Sequence, residues 1–134
     1  MNRHINFIAM TALLLLGTGC LESSDSIESI SMDFPHGETR LLVQRDGEAF
    51  LFYGALPSYQ EIGRGTFDLD ELYKQLKSHL RENVPRENWP DPKSKAGMVS
   101  ISFKNKSKKD YLIFNEGLAK IIFDKAKGNI VRQP

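Results

Sequence analysis

Arg40-Leu-Leu-Val-Gln-Arg-Asp-Gly-Glu-Ala-Phe-Leu-Phe-Tyr53 decides the fold of this chain. Two runs rich in leucine and aromatic residues, Arg40–Arg45 and Glu48–Tyr53, flank Asp46-Gly47. Aspartate-glycine between two such runs is a strong hairpin signal, and the spacing predicts a two-residue type I′ turn with positive φ at both positions. The hairpin sets the character of what surrounds it. Upstream, Ser29-Ile-Ser-Met-Asp-Phe34 alternates, with Ile30, Met32 and Phe34 on one side, the period of a half-buried strand. Pro35-His-Gly37 breaks that strand before the hairpin begins.

Downstream, residues 54–66 read as turns, punctuated by Pro57, Gly63 and Gly65. A helix follows over Phe67–Leu80 and runs to about Arg81. Leu69, Leu72, Tyr73, Leu76 and Leu80 share its apolar face, and Asp68 with Glu71 forms a capping-box-like pair. Asp70 and Glu71 crowd its start, while Lys77, His79 and Arg81 crowd its end, which complements the helix dipole. Val84-Pro85 stops it. A loop rich in proline and charge surrounds Trp89. Met98–Phe103 then places Val99, Ile101 and Phe103 on one face of a strand. Asn105-Lys-Ser-Lys108 turns the chain, and Tyr111–Phe114 returns it. Asn115 caps a second helix whose face carries Leu118, Ile121, Ile122 and Ala126, with Gly128 as its stop. The order β-β-β-α-β-β-α predicts an α+β fold: a small single domain with a mostly antiparallel sheet of about four to five strands and two helices packed on one face.

Across this region the chain resembles the periplasmic domain of biopolymer-transport proteins of the ExbD/TolR type. The residues that carry the resemblance are Leu42-Val-Gln-Arg-Asp-Gly-Glu-Ala-Phe-Leu-Phe52, Phe67-Asp-Leu-Asp-Glu-Leu72, Met98-Val-Ser-Ile-Ser102 and Leu118–Ile130. It implies a strand, an aspartate-glycine turn, a strand, a helix, a strand and a helix ending in glycine. The family's membrane helix with its proton-carrying aspartate has no counterpart here, so the resemblance bears on fold and not on motor function. Tyr111–Phe114 is an added apolar stretch.

The first residues have a different logic. Arg3 and His4 precede the apolar run Phe7-Ile-Ala-Met-Thr-Ala-Leu-Leu-Leu-Leu16, and Gly17-Thr-Gly19 leads to Cys20, the sole cysteine of the chain. A basic end, an apolar core and small residues at the cut make a secretory signal. The 10-residue core falls well short of the roughly 20 residues a bilayer-spanning helix needs. Cleavage before Cys20 leaves its thiol at the new N-terminus. The segment resembles a bacterial lipoprotein signal, which implies that Cys20 becomes lipid-modified and anchors the protein to a membrane. The family places a leucine three residues before the cysteine. Here Gly17 holds that position and Leu16 lies one further back, so ordinary signal-peptidase cleavage stays open as an alternative. Both routes export the protein. Leu21, in place of an aspartate, resembles the default for the outer membrane facing the periplasm. The expected organisation is a signal peptide at 1–19, a lipidated N-terminus and polar tether at 20–26, and the α+β domain at 27–134.

Composition excludes several functions. Removing Arg3 with the signal leaves 17 basic and 17 acidic side chains, a balance that argues against a nucleic-acid partner. No Gly-x-Ser-x-Gly elbow, His-Glu-x-x-His or phosphate loop occurs, so no catalytic residues are assigned and no enzyme activity or cofactor is expected. Asp68, Asp70 and Glu71 could do acid/base work, but at a helix start they read as caps. Gly63-Arg-Gly65 reads as a corner and not a ligand loop. His36 with Asp33 and Glu38 is too thin for a metal site and reads as a solvated turn; His79 reads as a dipole partner.

Two surface features remain. Lys93, Lys95, Lys104, Lys106, Lys108 and Lys109 fall in a stretch without acids between Asp91 and Asp110, whereas Glu22, Asp25, Glu28, Asp33 and Glu38 precede Arg40. Such a lysine-rich hairpin tip either is a solvated face or meets an anionic surface or acidic partner. Trp89 is either a lid over the core or a contact hot spot. These features lead to the expectation of a lipid-anchored periplasmic protein, held to the membrane through its N-terminal lipid, that acts as a non-enzymatic binding or adaptor domain. Its possible contacts are Trp89, Lys104, Lys106, Lys108 and Lys109. The alternative is a periplasmic immunity or inhibitor lipoprotein that neutralises a toxin or enzyme.

Overall fold

Alternating side chains give the sheet one apolar face. The computed structural model of the protein describes residues 23–34, 39–54, 60–82, 84–88 and 96–132. Seven strands form one sheet: β1 (Ile27–Phe34), β2 (Thr39–Gln44), β3 (Glu48–Tyr53), β4 (Gln60–Thr66), β5 (Gly97–Phe103), β6 (Lys108–Ile113) and the three-residue β7 (Ile130–Arg132). Their order is β6-β5-β1-β2-β3-β4-β7, and every neighbouring pair is antiparallel. Helices α1 (Leu69–Leu76) and α2 (Glu116–Asn129) complete an α+β domain.

The register explains the core. Ile30 lies between Val43 and Ile101, and Met32 lies between Leu41 and Val99, all on the face that the helices cover. Leu69, Leu72, Tyr73 and Leu76 of α1 and Ala119, Ile122, Phe123 and Ala126 of α2 join them in one buried cluster. Removing a leucine or isoleucine side chain of this kind from water is worth about 1.5–3 kcal/mol. Two bulges tune the faces. At Glu28 the β1–β5 register slips by one, so Ile27 turns into the core and Glu28 out to water. At Ile62 the β3–β4 register slips likewise.

Several expectations are corrected. The sheet has seven strands, not four to five, because β4 occupies a segment read as turns and β7 follows the expected helix stop, where no strand is predicted. Gly63 and Gly65 do not mark a corner. They lie in β4, and a Cβ at Gly65 would sit 2.2 Å from the Asn129 carbonyl oxygen, so the glycine lets the end of α2 press onto the strand. Gly128 does not stop α2, which runs through it to Asn129. The buried face of α2 is turned from the expected one: Ala119 and Phe123 are buried, while Ile121 is 62% exposed. Helix α1 ends at Leu76, short of Arg81. Arg81 instead exchanges two backbone hydrogen bonds with Leu112 (2.9 and 2.8 Å), which pulls the chain off the helix and covers part of edge strand β6.

The two caps are as expected: Asp68 accepts from the Glu71 N–H and Asn115 from the Leu118 N–H. The hairpin between β2 and β3 forms, but its turn is not type I′. The Gly47 N–H donates to the Gln44 carbonyl at 2.9 Å, and only Gly47 has positive φ (87°). This is a three-residue loop, a type I turn followed by one left-handed residue.

Candidate functional site

The end of the sheet that carries the start of β1 gathers most of the features with functional potential. Antiparallel pairing places three chain segments there side by side: the root of β1, the β2–β3 turn and the β5–β6 turn. Ile27 pairs with Phe103 on one flank, and Ser29 pairs with Gln44 on the other.

The β5–β6 turn is built like the β2–β3 turn. The Lys106 N–H donates to the Phe103 carbonyl at 3.0 Å, and the Phe103 N–H donates to the Ser107 carbonyl at 2.9 Å. Asn105 Oδ1 accepts from the Ser107 N–H and hydroxyl and closes the loop. Lys106 takes the left-handed position with φ of 74°, the position Gly47 fills in the other hairpin. Among the described residues it is the sole non-glycine with positive φ. Lys104, Lys106, Lys108 and Lys109 are all exposed. Lys108 lies on the open-face side opposite Ser102, and Lys109 opposite Ile101; Lys108 Nζ comes within 4.0 Å of Asp110.

Beside this tip lies the root of β1, residues 23–27. Ser24–Ser26 form a short 3-10 turn that Ser23 caps. The Lys104 N–H donates to the Ser26 carbonyl at 2.9 Å, which ties root to tip. From the other side Arg45 grips the root: its guanidinium donates to the Ile27 carbonyl at 2.9 Å and to the Ser24 carbonyl, and pairs with Asp70 at 2.9 Å. The hydrogen bond from Arg45, with a second from Ser24, holds the Asp70 carboxyl below the usual carboxylate range. Beyond Arg45 an open depression of ≈ 480 Å³ is lined by Asp46, Thr66, Phe67, Asp68 and Asp70 among others. This end of the domain is therefore divided. Lysines crowd its β5–β6 side and Asp46, Asp68 and Asp70 its β3–β4 side; the root of β1, which carries the exposed Asp25, lies between them, and Lys104 is near enough to Asp70 to add to the effect of Arg45 in lowering its pKa.

Asp68, Asp70 and Asp33 have structural partners. Asp68 caps α1 and Asp70 pairs with Arg45. Asp33 is held by a two-pronged bond from Arg40, at 2.5 and 2.8 Å. Among the described residues no group of three or more His, Cys, Asp or Glu side chains could hold a metal ion. Cys20, His36, Glu38, Trp89, Lys93 and Lys95 lie outside the described residues.

The sheet face away from the helices is a second surface, which periodicity alone did not single out. Leu42, Phe50 and Phe52 lie half-buried on it. The Phe50 and Phe52 rings are 6.4 Å apart, and the Arg64 guanidinium sits 5.2 Å from the Phe50 centroid, held by Glu61. Comparison of the chain with protein-family models, with curated proteins and with solved structures gives no match. Among the described residues no helix is long and apolar enough to cross a membrane.

Proposed function

We propose that this is a lipid-anchored periplasmic envelope protein whose α+β domain works as a non-enzymatic binding or adaptor module, held to the outer membrane by acylated Cys20. The observation that carries the reading is the lysine-bearing β5–β6 tip, an exposed surface on which Lys104, Lys106, Lys108 and Lys109 outnumber the neighbouring Asp110, fixed in place by backbone hydrogen bonds. Clustered like charges repel, and contact with an anionic envelope surface or acidic envelope protein relieves that repulsion. The signal segment ending in Cys20 supplies the compartment.

The half-buried face at Leu42, Phe50 and Phe52 favours a second reading, an immunity or inhibitor lipoprotein that closes over one toxin or enzyme. One experiment tests the proposal and separates the two. Wild type and Cys20→Ser are fractionated, and the membrane-held wild type is cross-linked and its partners identified by mass spectrometry. The proposal expects wild type in the membrane fraction, Cys20→Ser soluble or unprocessed, and envelope components as partners. Soluble wild type overturns the anchor, and a single stoichiometric toxin or enzyme selects the inhibitor.

A further inference from the structure

The fold decides which way an anchored domain faces. Ser26 and Lys104 share a backbone hydrogen bond, so the root of the tether and the lysine tip leave the sheet at the same end. Three peptide units separate Cys20 from Ser23, a reach of at most about 10 Å. That reach is close to the Debye length of about 8 Å at physiological ionic strength. A lipid on Cys20 therefore holds the tip within electrostatic range of the bilayer it enters. The Arg45 grip on Ser24 and Ile27 keeps the root from swinging the tip away.

Lys106 adds an independent observation. The two hairpins share one loop design, and the left-handed position is glycine in one and lysine in the other. A side chain at positive φ is disfavoured, and such strained positions concentrate at functional sites. The hairpin itself gains nothing from a lysine there. Lys108 and Lys109 lie on edge strand β6, where lysine also guards against stray strand pairing. Lys104 and Lys106 lie in the turn, where that role does not apply.

We infer that the β5–β6 tip, chiefly Lys104 and Lys106, is a second membrane contact that seats on anionic phospholipid headgroups of the leaflet carrying the protein's own lipid. The inference rests on the reading of Cys20 as lipidated and deepens it by naming the surface and the orientation. The domain leans on its β5–β6 side, where four lysines outweigh Asp25 and Asp110, because Asp46, Asp68 and Asp70 on the other half are repelled by the same headgroups.

The test uses the full processed protein, purified from membranes and reconstituted in vesicles of phosphatidylcholine with or without 30% phosphatidylglycerol (about one anionic lipid in three). Lysine acetylation rates are read residue by residue by mass spectrometry. In anionic vesicles Lys104 and Lys106 should label at least about fivefold more slowly than in neutral ones, with Lys74 and Lys120 unchanged, and 0.5 M salt (a Debye length of roughly 4 Å) should restore them. Lys106→Gly should raise Tm by about 4 °C and shorten the protection of Lys104. Equal labelling in both vesicle types, with the acyl mass on Cys20 confirmed, overturns the inference and leaves the anchor standing. A missing acyl mass overturns the anchor and the inference with it. Protection in native envelopes but not in anionic vesicles overturns it in favour of an acidic protein partner. A lower Tm for Lys106→Gly removes the strain on which the choice of Lys106 rests.

Discussion

Two glycines near one end of α2 should respond to the same substitution with opposite signs. A Cβ at Gly65 would meet the Asn129 carbonyl oxygen at 2.2 Å, the Ile130 Cα at 2.8 Å and the Asn129 carbonyl carbon at 3.0 Å. All three are backbone atoms, so no rotamer change relieves them, and ordinary contact lies at about 3.5–4.0 Å. The end of α2 must retreat by more than about 1 Å, and it carries β7 with it. That strand holds to β4 through three residue pairs, one of them Gly65 with Ile130. Overpacking costs about 1–3 kcal/mol, and each ladder bond lost adds about 0.5–1.5 kcal/mol. Alanine's entropy advantage over glycine returns about 0.5–1 kcal/mol. Gly65→Ala should therefore destabilise by about 2–3 kcal/mol. At Gly128 a Cβ meets nothing within 4 Å and the backbone is helical, so Gly128→Ala should stabilise by up to about 1 kcal/mol. Urea unfolding of both variants reads the difference directly. With a slope of about 1.5 kcal/mol/M the midpoints should separate by about 2 M. Midpoints for Gly65→Ala and Gly128→Ala within about 0.3 M of each other (~0.5 kcal/mol at that slope) would refute the close approach of α2 to β4.

Leu76 is fully buried, so Leu76→Ala should cost about 2–5 kcal/mol by denaturant unfolding; a loss below about 1 kcal/mol would mean α1 is poorly packed. Asp70 bears on acid stability. Its folded pKa is depressed, so its pairing with Arg45 stabilises the fold above the unfolded aspartate value of about 3.9 and is lost as pH falls through the lower folded value. Thermal melts across pH 2–7 (spanning about the aspartate range) should show Asp70→Asn losing less stability on acidification than wild type, and an identical acid limb would exclude the contribution.

Strands whose core positions carry large apolar side chains were legible by alternation. Ile30 and Met32, Leu41 and Val43, and Val99 and Ile101 all face the core as their spacing implies. Strand β4 was hidden because its core-facing positions are Gly63 and Gly65, so the alternation has no side chains to show it. The same glycines looked like turn residues, since close approach and positive φ call for the same residue type. In α2 the isoleucine pair at 121 and 122 drew the expected face toward Ile121. The buried small and aromatic residues Ala119 and Phe123 set it instead. Helix α1 lost its last turn to a tertiary bond, Arg81 with Leu112, that no local pattern encodes. The lysines were legible as a cluster. Their neighbour, the root of β1, was not, because the bond between Ser26 and Lys104 joins segments far apart in the chain. Lys106 gave no sign of its left-handed backbone, since glycine or asparagine is the usual marker.

The position of β1 has a mechanical consequence for an anchored protein. If Cys20 carries the proposed lipid, any pull on the domain, from flow, turnover or a partner that departs, returns through the residues before β1 to Ile27. That residue opens a central strand, paired at six positions with β2 and at six with β5. Drawn along its own length, β1 loads those two ladders in shear, many hydrogen bonds at once. An edge strand such as β7 would instead peel one bond after another. The load path from anchor to core thus enters the fold at its most doubly braced element, with the Arg45 clamp at the point where the force arrives.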